Sequence, residues 1–286
     1  MEVKNRIMSV FRYIKRYSPF FKDYSNDQEV IFTNLRVKCH ILDKGIHIVP
    51  FEKGHSGAAY RQCIELRDKL TDEKILADDS YFWACAVIEK YERLQNGKSV
   101  ELNEDVANNY SQQDKEFFYK IIKSRISTRN YIDKQVPDEL WNEIVDIAND
   151  APSGCCRQPS RFYIESEEKN IVKLLPNIAG TTGYSSKVPH LICITADTRP
   201  FPVQAKLMPV IDATLSIQNF LLACTVNNIY TVPLNWQFAT LKEEKAVKQI
   251  LNIPDYEKII LFVTAGYSNT IPEKPKRLNV NWIRKR

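Results

Sequence analysis

The sequence predicts an α+β fold, and three observations carry that expectation. Apolar residues recur at helical spacing through much of the 286 residues, while short, strand-like apolar runs appear only in the second half. The two kinds do not alternate as in a doubly wound parallel sheet. With 44% hydrophobic and 11% aromatic residues and only 8 Gly, the composition suits a packed core and excludes disordered and collagen-like chains.

Val3, Ile7, Val10, Phe11 and Ile14 form one helical face, opposite Lys4, Arg12, Lys15 and Arg16. Such a helix is expected to dock on its own protein or a partner subunit, with contact to an anionic membrane surface as the lesser alternative. Ser18-Pro19 ends it, because the residue before Pro leaves the helical region. Residues 20–56 read as irregular. They hold a cluster of Cys39, His40, Asp43, Lys44, His47 and His55, whose spacing matches no compact zinc pattern, so packing and surface roles are expected and no metal site. Helices are expected over about 57–70, 78–94 and 112–124, with a polar loop or linker at 95–109 containing Asn96-Gly97.

After Arg125 the texture changes. Val136-Pro137-Asp138 opens a helix that buries Leu140, Trp141, Ile144, Val145 and Ala148, and Ala151-Pro152-Ser153-Gly154 breaks it. Strands are expected over 161–165, 191–195, 229–234 and 259–265. Between Ile211 and Val226 lies a helix apolar almost all round, which must sit at a domain centre or in a dimer interface.

Charge adds a direction. The net +5 is mild, and the stretch from Lys274 to Arg286 carries six basic residues and no acidic one. A nucleic-acid partner is not expected, because that calls for a broad basic face with interleaved aromatics. A compact basic cluster suits a small phosphorylated ligand. Arg6, Arg12, Lys15 and Arg16 interrupt any secretory h-region, and seven cysteines without such a signal point to reduced thiols in a cytoplasm. Apolar runs such as 259–265 are too short to cross a bilayer.

The common catalytic signatures are missing: no P-loop, no GxGxxG, no GxSxG elbow and no HExxH. Only four His are present, three of them between residues 40 and 55, so hydrolase readings are weak and His190 beside a strand reads as structural. Arg125-Ile126-Ser127-Thr128-Arg129 is different. In extended form it points Arg125, Ser127 and Arg129 to one side, and two guanidinium forks with a hydroxyl suit a phosphate or a polyol chain. It is followed by Ala151-Pro152-Ser153-Gly154-Cys155-Cys156-Arg157-Gln158-Pro159. The vicinal Cys155-Cys156 reads as structural, since adjacent cysteines bridge only with strain.

These two motifs, in that order and at that spacing, resemble the nitroreductase family of FMN-dependent oxidoreductases, as do Val232-Pro233-Leu234-Asn235-Trp236 after the apolar helix and Gly266-Tyr267 ahead of Lys274-Pro275-Lys276-Arg277. The resemblance implies a mixed, mainly antiparallel sheet sandwiched by helices over residues 118–286, preceded by a helical extension over 1–117. It implies a homodimer with FMN at the subunit interface. Arg125, Ser127 and Arg129 would hold the phosphate, the ribityl chain and the O2 edge of the ring, and Arg277 with Lys276 would close on the phosphate. Pro152, Ser153, Cys156 and Gln158 would line the ring or ribityl chain, and Pro233, Leu234 and Asn235 would run past N5. NADH or NADPH would be the electron donor and a small molecule the acceptor, in ping-pong hydride transfer with no catalytic side chain.

The chain departs from the family pattern in three places. Cys156 replaces the Asn that bonds the pyrimidine edge of the flavin, and a thiol is a weak donor and acceptor, so that contact is diminished or lost. Ser160 stands where many members place a bulky aromatic, and Asn227-Asn228 replaces a Gly-Leu-Gly run. Two other readings share these residues: a flavin-dependent dehydrogenase of a biosynthetic intermediate reoxidised by oxygen, and a non-catalytic binding protein on the same fold. His40-Ile41-Leu42-Asp43-Lys44-Gly45 is similar, with Asp43 for Glu, to a His-x-x-Glu-Lys-Gly motif in longer members associated with surface-polysaccharide biosynthesis; three roles are open to it, covering the flavin mouth, binding an anionic substrate, or capping and packing helices.

Overall fold

The computed structural model describes residues 18–48, 50–100, 110–182, 187–237 and 239–285. The amphipathic segment expected over residues 1–16 lies outside these, as does most of the 95–109 loop.

The largest departure from expectation is α1 (Gln28–Ile46), a 19-residue helix where irregular chain is expected. The physical reason is plain. Asp27 caps it by accepting from the Glu29 and Val30 N–H groups, and Ile31, Leu35, Cys39, Leu42 and Ile46 recur at helical spacing on one buried face. Of the polar and metal-capable residues that dominate the segment by eye, His40, Asp43 and Lys44 stand on other faces of the helix, and His47 and His55 lie beyond its end. Cys39 belongs to the core, its Sγ lying 3.6 Å from both Cys63 Sγ and the Ala84 carbonyl.

Around α1 pack α2 (Gly57–Arg67), the one-turn α3 (Glu73–Leu76) and α4 (Asp79–Gln95). Their shared core adds Cys63, Ala84, Val87, Ile88 and Tyr91 to the α1 face. This cluster is separate from those that flank the sheet, so the extension is a helical unit with its own core.

Next comes α5 (Gln112–Ser124), opened by a capping box between Ser111 and Asp114. Then follow α6 (Asp138–Asn149), β1 (Ser160–Glu165), α7 (Glu168–Leu174), β2 (His190–Asp197), α8 (Met208–Val226), β3 (Tyr230–Asn235), α9 (Leu241–Ile250), β4 (Glu257–Gly266) and the short α10 (Val280–Ile283). The sequence reading did not anticipate α7 and α9, although the Thr240/Glu243 capping box marks the start of α9.

The described strands form one sheet in the order β1-β2-β4-β3, and every pairing is antiparallel. Pro233 sits in β3, an edge strand, where its missing N–H breaks no central ladder. β2 is buried along its whole length, and its alternation feeds two cores. Ile192 and Ile194 meet Trp141, Ile144, Phe220 and their neighbours from α6 and α8, while Leu191 and Cys193 meet Ile171, Leu174 and Val247 from α7 and α9. The sheet is thus sandwiched by helices, as expected.

α8 is longer than the apolar runs weighed in the sequence, and its 19 residues with mean hydropathy 1.3 reach the length of a membrane span. Its buried face, Asp212, Ala213, Ser216, Ile217, Phe220, Leu221 and Cys224, belongs to the domain core. Its opposite face leaves Ile211 and Leu215 exposed, and α5, which packs against α8, buries none of its own residues.

The extension is locked to the sheet unit by Arg199. This guanidinium reaches Asp197 on its own unit and Asp27 (2.8 Å) and Glu29 across the junction, and it stacks 3.8 Å from the Tyr256 ring centroid. Asp27 therefore both caps α1 and anchors it.

Candidate functional site

The sequence motifs resolve into two half-sites. The first begins where α5 ends. Arg125 leaves helical geometry at φ −55°, ψ 120°, and the chain that follows carries no helix or strand. Burial alternates along it: Ile126 and Thr128 turn inward, Arg125 and Ser127 are half-buried on the other side, and Arg129 is exposed. Thr128 Oγ1 donates to the Thr270 carbonyl at 3.0 Å, which ties this segment to the chain leaving β4.

Lys274 arrives on that same departing chain. Its ammonium donates to the Ile122 and Lys123 carbonyls at the C-terminal end of α5, where a helix favours positive charge. Burial lowers the pKa of Arg125, and the charge of Arg277 lowers it further. Lys274 is lowered by burial and then by Arg125 and Arg277. Three cations thus crowd one place, and Arg125 Nη1 is buried there with no hydrogen-bond partner. An orphaned, buried guanidinium N–H among like charges calls for an anion. These residues fit a phosphate. Lys276 is exposed beside them.

The second half-site is the turn between α6 and β1. Cys155, Cys156 and Gln158 all take left-handed backbone conformations, with φ of 54°, 57° and 47°. Each such conformation costs a non-glycine residue of order 1 kcal/mol or more, so surrounding contacts must hold the turn. The Gly154 N–H donates to Asp212 Oδ2 at 3.0 Å, and the Gln158 N–H donates to Ser153 Oγ at 3.0 Å. Arg157 donates to the Gly154 carbonyl (2.9 Å) and the Pro200 carbonyl (3.1 Å). A Cβ on Gly154 would lie 2.7 Å from Met208 Cε, so a side chain here would have to displace the end of Met208 at the first turn of α8. Burial raises the Asp212 carboxyl pKa, against the Gly154 N–H and Arg157, which lower it.

The extension reaches this second half-site. Arg36 Nη2 of α1 donates to Gln158 Oε1, and His40 Nδ1 lies 3.5 Å from Cys156 Sγ. The His40–Gly45 motif also closes on its own unit, because Gly45 is pressed against His55 and Ser56 too tightly for a side chain.

The structure brings Arg125 together with Arg277 and Lys274, and it brings Ser153, Cys156 and Gln158 together with α1. It does not bring the two halves together within one chain. The first is anchored beyond the Gly266 end of β4, also through the Ile132 N–H and the Tyr267 carbonyl (2.9 Å). The second is anchored at the opposite end of the sheet, through the Asp197 N–H and the Pro159 carbonyl (2.8 Å). The strand between those ends, β4, has ten residues and spans on the order of 30 Å. Pro152 is exposed on the turn, and on β3 Pro233 and Asn235 are exposed. Leu234, in contrast, is buried in the core beside Trp236 and Phe262, so its main chain alone faces out.

Sequence reasoning missed Arg36, and it named Lys274, Asp212 and His40 without giving them these contacts. Lys274 was visible in the basic Lys274-Pro275-Lys276-Arg277 run, of which only Lys276 and Arg277 were read as phosphate ligands. Asp212 had a signal, as the one charged residue of α8. Arg36 and His40 act across more than 110 positions, and no local pattern announces that.

A family model described as "Nitroreductase family" matches residues 122–192 and 186–267, just over half of the chain. The chain belongs to the nitroreductase family. It is an oxidoreductase of a family that uses FMN with NADH or NADPH as donor. It is 29% identical over 153 residues to a protein of Archaeoglobus fulgidus assigned as an NADH dehydrogenase/NAD(P)H nitroreductase, covering 52% of this chain and 83% of that one. A protein of Methanothermobacter thermautotrophicus with the same assignment is 25% identical over 51% of this chain and 74% of its own. Among solved structures, a Clostridium acetobutylicum protein assigned as an NADH oxidase is similar with TM-score 0.50 and 26% identity, over 57% of this chain and 97% of that one. A Parabacteroides distasonis protein shares the fold at TM-score 0.51 and 21% identity, over 58% of this chain and 96% of that one. The family model leaves the helical extension unmatched.

Proposed function

We propose that this nitroreductase is a homodimer whose FMN sites are each completed by two chains, and that it passes electrons from NADH or NADPH to a small-molecule acceptor. The observation that carries the reading is the separation of the half-sites. Arg125, Arg277 and Lys274 stand at one end of the sheet and Ser153, Cys156 and Gln158 at the other, so a second copy must supply the missing half. The exposed apolar residues of α5 and α8, Phe117, Phe118, Ile122, Ile211 and Leu215, support a face that a second copy covers.

Bound FMN supplies the redox chemistry, a ping-pong exchange of a hydride from the nicotinamide and then of electrons to the acceptor. The chain's residues bind and orient. Arg125 Nη1 would donate to the phosphate with Arg277, Lys274 and Lys276 neutralising it, and Ser127 and Arg129 would continue along the ribityl chain toward the ring. Pro152, Ser153, Cys156 and Gln158 would line the ring from the other chain. The main chain of β3 at Pro233, Leu234 and Asn235 would pass N5.

We take the units to divide near 117/118, a boundary that falls inside α5, so that this helix joins the two and its packing on α8 ties it to the second. A cytoplasmic location fits seven unbridged cysteines. A role in surface-polysaccharide biosynthesis rests on the His40–Gly45 motif.

Mixed dimers test the two-chain site. An Arg125→Gln chain and a chain with Gln158→Ala and Ser153→Ala should each bind FMN poorly alone. Co-expressed, they should regain tight binding at one site of each mixed dimer. No recovery would place the site within a single chain.

A further inference from the structure

The family's Asn is missing at Cys156, and the structure shows what stands over that position. α1 lies on the Gly154–Cys156 turn, and two of its side chains, Arg36 and His40, bond to residues there. Arg36 spends one terminal nitrogen on Gln158 Oε1, while its Nε is buried with no hydrogen-bond partner. A buried guanidinium N–H without an acceptor is costly, and in a cofactor pocket it marks the place of a ligand acceptor. Burial lowers the Arg36 pKa, against Cys156 and Asp78, which raise it, and with Arg161, which lowers it further. The Phe32 ring lies 5.9 Å from the guanidinium and offers it no acceptor in place of the one its Nε lacks.

We infer that α1 of the extension forms a wall of the FMN pocket, with Arg36 as a ring-binding residue whose Nε donates to the carbonyl edge of the isoalloxazine and His40 as a second polar group there. The helical extension thereby supplies from outside the matched domain the donors that Cys156 cannot. This rests on the proposal that the Ser153–Gln158 turn lines the ring. It also gives the Arg199 junction a purpose: holding α1 fixes the cofactor wall.

The inference separates ring contacts from phosphate contacts, so the test compares two ligands. The apoprotein is titrated with FMN and with riboflavin, reading quenching of flavin fluorescence, for wild type, Arg36→Met, Arg36→Lys and Arg125→Gln. Circular dichroism melts run alongside to confirm folding. Arg36→Met should weaken both ligands by roughly ten- to a hundredfold, as expected for a lost charge-assisted donor. Arg36→Lys should recover part of that, and the midpoint potential of the bound flavin should fall in Arg36→Met as a positive charge leaves the ring. Arg125→Gln should weaken FMN alone. Unchanged affinities in a folded Arg36→Met protein would overturn the inference while leaving the FMN reading intact, and so would a loss confined to FMN, which would make Arg36 a phosphate ligand. Wild type that binds neither flavin would remove both.

Discussion

Acid should strike this fold at His190. The ring is 1% exposed, and both of its nitrogens are engaged. Nε2 accepts from the Val136 N–H at 3.0 Å, so the proton sits on Nδ1, which donates to Ser166 Oγ at 2.7 Å. The Trp141 ring packs edge-on at 5.2 Å. A second proton would put N–H against N–H at Val136, and burial pushes the His190 pKa down from 6.5 to about 4. The folded state therefore resists a proton that the unfolded chain accepts freely. Its contribution is fully present above pH 6.5 and is lost as pH falls from 6.5 toward about 4. That depression corresponds to about 3 kcal/mol, a large share of the ~5–15 kcal/mol that holds a typical domain. Urea unfolding at several pH values between about 7.5 and 4.5 reads it, for wild type and His190→Gln, whose amide oxygen can still accept from Val136. The variant's stability should fall less steeply with acid, by up to ~1.4 kcal/mol per pH unit, the value of one proton. Parallel slopes in the two proteins would refute the assignment.

Three further outcomes follow from the same geometry. Arg199→Met leaves Asp197, which is 4% exposed, with only the residue-199 backbone N–H at 2.9 Å and Arg161 at 3.8 Å, so it should cost about 3 kcal/mol and speed amide exchange in α1; unchanged protection there would show that the junction does not hold the extension. Leu215→Glu places a charge on the exposed apolar face of α8, and size-exclusion chromatography with light scattering should find monomers that have lost flavin, whereas an intact flavin-bearing dimer would move the interface elsewhere. Gly154→Ala forces Met208 or the left-handed turn to move, and should lower FMN affinity with little change in the α1–α4 core; unaltered binding would mean the turn has no part in the pocket.

The strands and the two core helices of the sheet unit were legible because their signals are local, whereas α7 and α9 were not read. Pro137 before Asp138, the alternation around Ile192 and the apolar period of α8 each fix one element from its own residues. α1 had the same kind of signal in Ile31, Leu35, Cys39, Leu42 and Ile46, but its thiol and imidazoles drew the reading toward ligand chemistry and away from period. The first half-site was legible because extended chain at Arg125–Arg129 must alternate. The Arg36–Gln158 and His40–Cys156 contacts were not, because they arise only when a separately folded helical unit docks on the sheet unit. A homodimer with FMN at its interface came from the family resemblance alone; the proposed two-chain site draws its structural support from which end of β4 each motif is tied to, which spacing does not reveal.

The central claim is that the cations around Arg125 and the turn at Cys156 together hold FMN. The most direct measurement is the absorption spectrum of the freshly purified protein, followed by flavin release on denaturation. Oxidised flavin gives one band in the near ultraviolet and one in the blue. The account predicts both bands, about one FMN per chain, and bleaching by NADH or NADPH without oxygen. A colourless protein that takes up no FMN from excess would contradict it.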